Sequence, residues 1–570
     1  MNKKEDNIIK VEDVSWSYRQ SASPALMHID WTVAEGETVA IAGPTGAGKS
    51  TLCLALNGLI PHFTVGKLTG KVVIDGWDTA ILEPKELCPF IGVVFQNFET
   101  QLFTGSAELE VAFGPENLCL PPDVIRQRVK DYLEFVGLGG QEKKEPALLS
   151  GGEKQRLAIA AILAIEPKII CLDEPTTDLD PQGKSEVIGI IRKLQAEKHR
   201  TMILVEHETE ELLSSDKLLL IQDGQVKAYG APRELLRQVD LLRELGIRPL
   251  AVTEAFSDAK PADRPLTVAE AQAYFKKKGY TLSPEKHQKL IRRDKERQKK
   301  YGETQIELRN VNFDFGSGPV LNNLNLSVKK GEFIAILGQN GSGKTTLIKQ
   351  LNGLLVPKQG TAVVNGRDTS KESVKSLSQI VGYVFQNPDH QIIMETVYDD
   401  VAFGPRFAKL DEKEIKKRVD EALAAVKLTG REKSDPLTLT KGQRQKVAVA
   451  AVLANKPDIL VLDEPTTGLD DNELRGMMEL IKSLNDDGHT IIMVTHCMWV
   501  AAEYAHRVVV LKQGEVLLDG PAREVFAQEE KLRECHLRPP QITGWSRQLG
   551  HTLLSVAEFR ECLIHSTSSV

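Results

Sequence analysis

No run of 18 apolar residues occurs in this 570-residue chain, so no segment reads as a membrane-spanning helix. Its seven cysteines stand singly, without a C-x-x-C pair, and indicate neither a disulfide framework nor a zinc site. Positive charge is not in excess: a formal net charge of −7 argues against a protein coated in nucleic acid, although local basic patches remain open. The opening Met1-Asn2-Lys3-Lys4-Glu5-Asp6 leads into polar sequence lacking the apolar core of a signal peptide, and the expected compartment is the cytoplasm. The composition is that of a soluble globular protein, 41% hydrophobic and 26% charged, at a length that suggests about three or four domains.

Two glycine-rich loops stand out, Gly43-Pro44-Thr45-Gly46-Ala47-Gly48-Lys49-Ser50 and Gly338-Gln339-Asn340-Gly341-Ser342-Gly343-Lys344-Thr345. Each matches G-x-x-x-x-G-K-[ST] in full, follows a short apolar run (Thr38 to Ala42, Phe333 to Leu337) and precedes a helical pattern. Glycines let backbone N–H groups wrap an anionic oxygen cluster, and the following helix directs its positive end at it. Lys49 and Lys344 are expected to reach the β- and γ-phosphates, and Ser50 and Thr345 to ligate Mg²⁺, with Thr51 and Thr346 beside them in the nucleotide site. A glycine turn with a nearby lysine is the plain alternative; two full matches in matching contexts favour two bound nucleotides.

The chain is a duplication. Val94-Phe95-Gln96-Asn97, Val111-Ala112-Phe113-Gly114-Pro115 and Leu172-Asp173-Glu174-Pro175-Thr176-Thr177 all recur 290 residues later, and the two glycine-rich loops lie 295 apart. Ile247-Arg248-Pro249 is answered by Leu537-Arg538-Pro539. The expected domains are residues 6–250 and 304–570, each with a C-terminal extension. Between them, 251–303 has no counterpart: turn-prone at first, then helix-prone and basic, with eleven Lys/Arg against three Asp/Glu over 276–300. A solvated linker helix is the default reading of that stretch, and contact with anionic lipid or RNA the other. Within each half, β-branched runs such as 168–172 and 201–205, with twins at 458–462 and 490–494, read as buried parallel strands, and 123–136 and 411–427 as amphipathic helices. An α/β nucleoside-triphosphatase core with a helical subdomain fits.

The remaining chemistry follows in fixed order. Asp173 and Asp463 end apolar strands, where a carboxylate can hold Mg²⁺, commonly through water. Glu174 and Glu464 are placed next to them to polarise the attacking water as general bases. His207 and His496 also end apolar strands; a lone histidine there is more often structural, but the repetition favours a γ-phosphate contact that orients water and glutamate. Gln96 and Gln386 are placed to reach Mg²⁺ or water while heading a mobile loop. Tyr18 and Phe315 end alternating strands upstream of the loops, where an aromatic face can stack on adenine; ordinary core packing is the competitor.

Leu149-Ser150-Gly151-Gly152-Glu153-Lys154-Gln155-Arg156 supplies a second anion site, a turn offering a hydroxyl, free amides and a helix dipole. With it the chain resembles the ATP-binding-cassette ATPases, over residues 8 to 235 and 305 to 525. The resemblance implies, in each half, a RecA-like core with an antiparallel β subdomain and a helical subdomain. It also implies head-to-tail pairing of the halves, with each ATP between one half's P-loop and the other half's signature turn: Ser150, Gly151 and Gly152 in the first half, Thr440 and Gly442 in the second.

Phe385-Gln386-Asn387-Pro388-Asp389-His390-Gln391 and the repeated Val-Ala-Phe-Gly-Pro look like the ATPases of energy-coupling-factor importers, which bring vitamins and transition-metal ions into prokaryotic cells. That resemblance implies a peripheral position on the cytoplasmic face of the membrane, a transmembrane scaffold subunit received in the groove after the glutamine, and a separate membrane-embedded substrate-capture protein. No stable nucleic-acid partner is expected. The first half lacks the Pro-Asp of the second, reading Gln96-Asn97-Phe98-Glu99-Thr100-Gln101, so its groove is expected to meet the partner differently. The rival reading, a soluble twin-cassette ATPase acting on ribosomes or nucleic acid, rests on the basic linker. The second signature reads Leu439-Thr440-Lys441-Gly442-Gln443, and a side chain at 441 is expected to be forced into a glycine-type turn. The site of Lys344 and Glu464, facing the intact signature, is expected to carry most turnover.

Overall fold

The computed structural model describes residues 7–565 apart from 20, 22, 198, 199 and 317. Residue 6 and residues 566–570, the outer limits of the two expected domains, lie outside the described residues. Contacts divide the chain into two compact units: one of residues up to 253 with 257–266, the other of 254–256 with the chain from 267 onward.

In the first unit the strands TVAIA (Thr38–Ala42), IICLD (Ile169–Asp173) and TMILV (Thr201–Val205) are buried at every position. Near-continuous apolar runs of that kind need helices on both faces, the signature of a parallel sheet. They form the middle of a six-stranded sheet whose order is Ile91–Val94, Ile169–Asp173, Thr201–Val205, Thr38–Ala42, Lys217–Gln222, Gln225–Gly230, parallel except at the last pair. By contrast Asn7–Tyr18 buries about every second residue. It pairs antiparallel with Leu26–Ala34 and Gly66–Ile74, in a four-stranded sheet completed by Trp77–Asp78. Helices Ala107–Asn117, Pro122–Phe135 and Gly151–Leu163 form the helical subdomain, around Val111, Leu133, Val136 and Leu157.

The second unit repeats both sheets in the same order, with Phe333–Gly338, Ile459–Asp463 and Thr490–Val494 as its fully buried strands. The helices expected near 123–136 and 411–427 run Pro122–Phe135 and Glu412–Ala425. In both units the P-loop strand lies beside the strand that leads to the histidine, which in turn lies beside the strand that ends in Asp173 or Asp463. Parallel strands in register place their carboxyl ends along one edge, where ligands of open α/β sheets bind.

Of the segment without a counterpart, residues 254–256 and 267–303 belong to the second unit, and the rest to the first. Helices Val268–Lys277 and Pro284–Gln298 flank a short strand, Tyr280–Leu282, that pairs antiparallel with Leu563–His565. Phe256 and Phe275 gather on Trp545 and Phe559, and Tyr280 packs on Phe256 and Phe275. Arg523 binds Glu558 through both guanidinium nitrogens, at 2.9 and 2.8 Å, and reaches Asp294 on the basic helix at 2.9 Å. Lys276, Lys277, Lys278, Lys286, Lys289, Lys295, Lys299 and Lys300 are exposed, while Leu290 of the same helix is buried. Among the described residues no helix is long and apolar enough to cross a membrane.

Candidate nucleotide sites

Each P-loop turns too tightly for side chains at its key glycines. A Cβ on Gly43 would lie 2.0 Å from the Ile221 carbonyl oxygen, and one on Gly338 would lie 2.5 Å from that of Leu511. Gly48 and Gly343, at φ 101° and 98°, adopt the left-handed backbone that opens the helices Lys49–Leu56 and Lys344–Leu351. Lys49 and Lys344 are buried. The Lys49 ammonium donates to the Gly43 and Pro44 carbonyls at 2.9 Å each, and Lys344 to those of Gly338 and Gln339 at 2.8 Å. Lys49 also lies 3.9 Å from a Glu174 oxygen, so the ammonium stands between its loop and the acidic strand end. Thr45, Gly46, Asn340 and Gly341 form the exposed crest of each loop, and Ala47 and Ser342 tuck beneath it.

At the sheet edge, Ser50 hydrogen-bonds the Asp173 carboxylate, and Thr345 donates to Asp463 at 3.4 Å. Burial, with the neighbouring Glu174 charge, pushes the Asp173 carboxyl up to about 6 against the pull of Ser50, Lys49 and His207. One Asp173 oxygen is buried without a partner. A hydroxyl, a carboxylate with an unsatisfied oxygen and a nearby amide are a hard-oxygen donor set, which suits Mg²⁺ bound together with a nucleotide's phosphates. The second site adds a group that sequence reading missed: Tyr383 donates to Asp463 at 2.9 Å.

Glu174 and Glu464 each gather the same partners. One Glu174 oxygen meets His207 Nε2 at 2.7 Å; the other accepts from Gln96 at 2.8 Å and Thr177 at 3.3 Å. Glu464 is bound by His496 at 2.9 Å and by Gln386 and Thr467 at 3.2 Å. Burial alone would raise both carboxyls. The histidine hydrogen bond and charge, with the P-loop lysine behind them, outweigh it and hold both below the ordinary glutamate range. A buried base that stays ionised is thereby available to take a proton. The glutamines expected at Mg²⁺ or water thus turn their amide nitrogens to the glutamates. Gln101 and Gln391, also missed, fix the loops by accepting from the Phe95 and Phe385 N–H at 3.2 and 3.1 Å.

Tyr18 packs edge-on against Trp16, with its hydroxyl 3.0 Å from that of Thr51, whereas Phe315 is exposed and edge-on to Phe313. Thr346 is buried in the helix that follows its P-loop. In the signature turns Ser150 caps Gly151–Leu163 with a capping box to Glu153, and Thr440 caps Lys441–Leu453 with one to Gln443. Lys441 is the first residue of an ordinary right-handed helix and has no positive φ. The expected glycine-type strain at 441 is therefore absent, because the first helical position asks nothing of a Cβ.

A family model described as "ABC transporter" matches residues 26–177 and 321–467. An ABC transporter ATP-binding protein of Caldanaerobacter subterraneus subsp. tengcongensis is 48% identical over 98% of this chain and 99% of its own length. One from Methanosarcina mazei is 42% identical over 94% of this chain and 92% of its own. Among solved structures, cbiO1 of Clostridium perfringens, part of the ABC transporter complex cbiONQ, is 37% identical. It aligns with 43% of this chain and 100% of its own at a TM-score of 0.39. Two nucleotide sites of one design, each with its own P-loop, acidic strand end and histidine, thus sit in a chain that belongs to the ABC transporter ATPases: two fused cassettes that bind ATP with Mg²⁺ and hydrolyse it.

Proposed function

We propose that this chain is the ATP-hydrolysing subunit of a membrane importer of the energy-coupling-factor type, powering uptake of a vitamin, a vitamin precursor or a transition-metal ion. The supporting observation is an apolar patch beside the glutamine loop of each cassette. Phe103, Leu109 and Phe113 are exposed in the first, with the two rings edge to face at 4.8 Å. Ile393, Phe403 and Phe407 are exposed in the second. Exposed apolar clusters of this kind mark partner sites, and a cytoplasmic helix of a hydrophobic scaffold subunit has the matching chemistry. The chain then works at the cytoplasmic face of the membrane, with a separate membrane protein capturing the cargo.

In this reading the cassettes pair head to tail, and each ATP lies between one P-loop and the other cassette's signature turn. Ser50 or Thr345, with Asp173 or Asp463, would hold Mg²⁺, which would supply positive charge against the phosphates. Lys49 and Lys344 hold the β- and γ-phosphates, Glu174 and Glu464 take a proton from the attacking water, and His207 and His496 orient glutamate and γ-phosphate. The loops after Gln96 and Gln386 pass the closing motion to the scaffold. The site of Lys344 and Glu464 meets Ser150-Gly151-Gly152 and carries most turnover, while that of Lys49 and Glu174 meets Thr440-Lys441-Gly442 and turns over slowly.

The test is recovery of a tagged chain from its native membranes. A multi-span hydrophobic subunit is expected to accompany it, and to be lost from Phe113→Ser/Phe403→Ser while the purified chain's ATPase is unchanged. Recovery of ribosomal RNA in place of that subunit would favour the soluble twin-cassette reading and overturn this one.

A further inference from the structure

The two signature turns share one backbone and differ in what fills them. In the first cassette a Cβ on Gly152 would lie 3.0 Å from the Gly183 Cα, so two glycines touch backbone to backbone. The residue 290 positions after Gly183 is Glu473. Its N–H bonds to Asp470 at 2.8 Å just as that of Gly183 bonds to Asp180 at 2.9 Å, so the helix entry is the same and only the side chain is new. That carboxylate lies across the turn. A Cβ on Gly442 would sit 2.6 Å from the Glu473 Cδ, and the Thr440 hydroxyl donates to Glu473 Oε1 at 3.1 Å. The same hydroxyl accepts from the Gln443 N–H at 3.2 Å, so both of its roles are used within the turn. The other Glu473 oxygen is buried without a partner.

Lys441, the substitution visible in the sequence, turns elsewhere. A Cβ on Gly468 would lie 2.3 Å from the Lys441 ammonium, so this side chain fills the space above Gly468, where the first cassette has Asp178. Three exchanges relative to the first cassette therefore converge on one turn, and the one that reaches the anion cradle is acidic.

We propose that Glu473 is a positioning residue that occupies the anion cradle of the second signature turn and, by opposing the γ-phosphate there, keeps the partner nucleotide site slow. This rests on the head-to-tail reading, in which that turn meets the ATP of Lys49 and Glu174. It places the cause of the asymmetry in a carboxylate and not in Lys441. Like charge set against a phosphate without an intervening cation suppresses closure, and a glycine or an amide removes it.

The experiment compares ATPase kinetics of purified full-length chains in the E464Q background, where the second site is silenced. E464Q/E473G and E464Q/E473Q are expected to raise kcat by about tenfold over E464Q and to lower the KM for ATP. E464Q/E473D, which keeps the charge, is expected to stay at the E464Q rate. Glu473→Gln preserves shape, so a gain shared by Gly and Gln but withheld from Asp reports charge and not helix repair. Unchanged rates in both E464Q/E473G and E464Q/E473Q, or a gain from E464Q/K441G alone, would overturn the proposal while leaving the site assignment standing. If E464Q itself keeps most of the wild-type rate, the site assignment fails, and Glu473 is then judged by whether E473G raises that retained rate.

Discussion

Glu174 and Glu464 carry φ of 50° and 49°, a left-handed backbone that non-glycine residues enter at a cost. The same strained conformation recurs in both cassettes, each anchored by the glutamate N–H to the strand leading to the histidine, at Val205 and Val494. The strain aims the carboxylate back at His207 or His496 and Gln96 or Gln386, so losing the charge wastes a geometry the fold maintains. On the proposed assignment Glu464→Gln lowers steady-state ATPase by about 10²–10⁴-fold, and Glu174→Gln by much less. A larger loss from Glu174→Gln would sink the assignment. Both glutamates were legible in the sequence because their chemistry is written locally, one residue after an acidic strand end. Tyr383 and Glu473 were not. They act on Asp463 and Thr440 from 80 and 33 positions away, and only the packed sheet and helix bring them there.

The basic stretch between the cassettes shows the same limit at the level of an element. Its charge and helical tendency could be read directly, and its lysines are exposed. Its apolar side could not be assigned a partner, because Phe275 packs on Trp545 and Phe559, more than 260 positions away. Trp545 is buried to within 1%, and Trp545→Ala is expected to cost about 3–5 kcal/mol, read as a lower urea midpoint. Glu558 tests the polar side of the same layer. Burial would raise its carboxyl, but the hydrogen bonds and charge of Arg523 hold it below the ordinary 4.5. A depressed folded value stabilises above the unfolded value and is lost as pH falls through the folded one. Glu558→Gln is therefore expected to cost about 3 kcal/mol at pH 7, since it leaves a buried guanidinium short of its partner. The difference from wild type should shrink as the pH drops below about 4.5. A cost that does not vary with pH would show that Glu558 acts through hydrogen bonding and packing and not through its charge.

At the scale of the whole molecule the duplication puts both nucleotide sites in one chain, and apart from residues 254–256 the second unit begins at 267 and not at the start of the second antiparallel sheet. If the cassettes complete each other's sites, covalent linkage makes their pairing intramolecular, at an effective concentration on the order of millimolar for a short connection. ATPase per chain should then be constant from nanomolar to micromolar protein. Two separate chains cut between 266 and 267 should lose specific activity on dilution, and recover it when concentrated together. A cut between 303 and 304 should do worse at every concentration. It leaves Tyr280–Leu282 and the basic helix on the wrong fragment, stripping the second unit of the strand that pairs with Leu563–His565 and of Asp294 beside Arg523. Activity that falls on dilution of the intact chain would show that pairing runs between molecules, and that fusion serves only to match the number of the two cassettes.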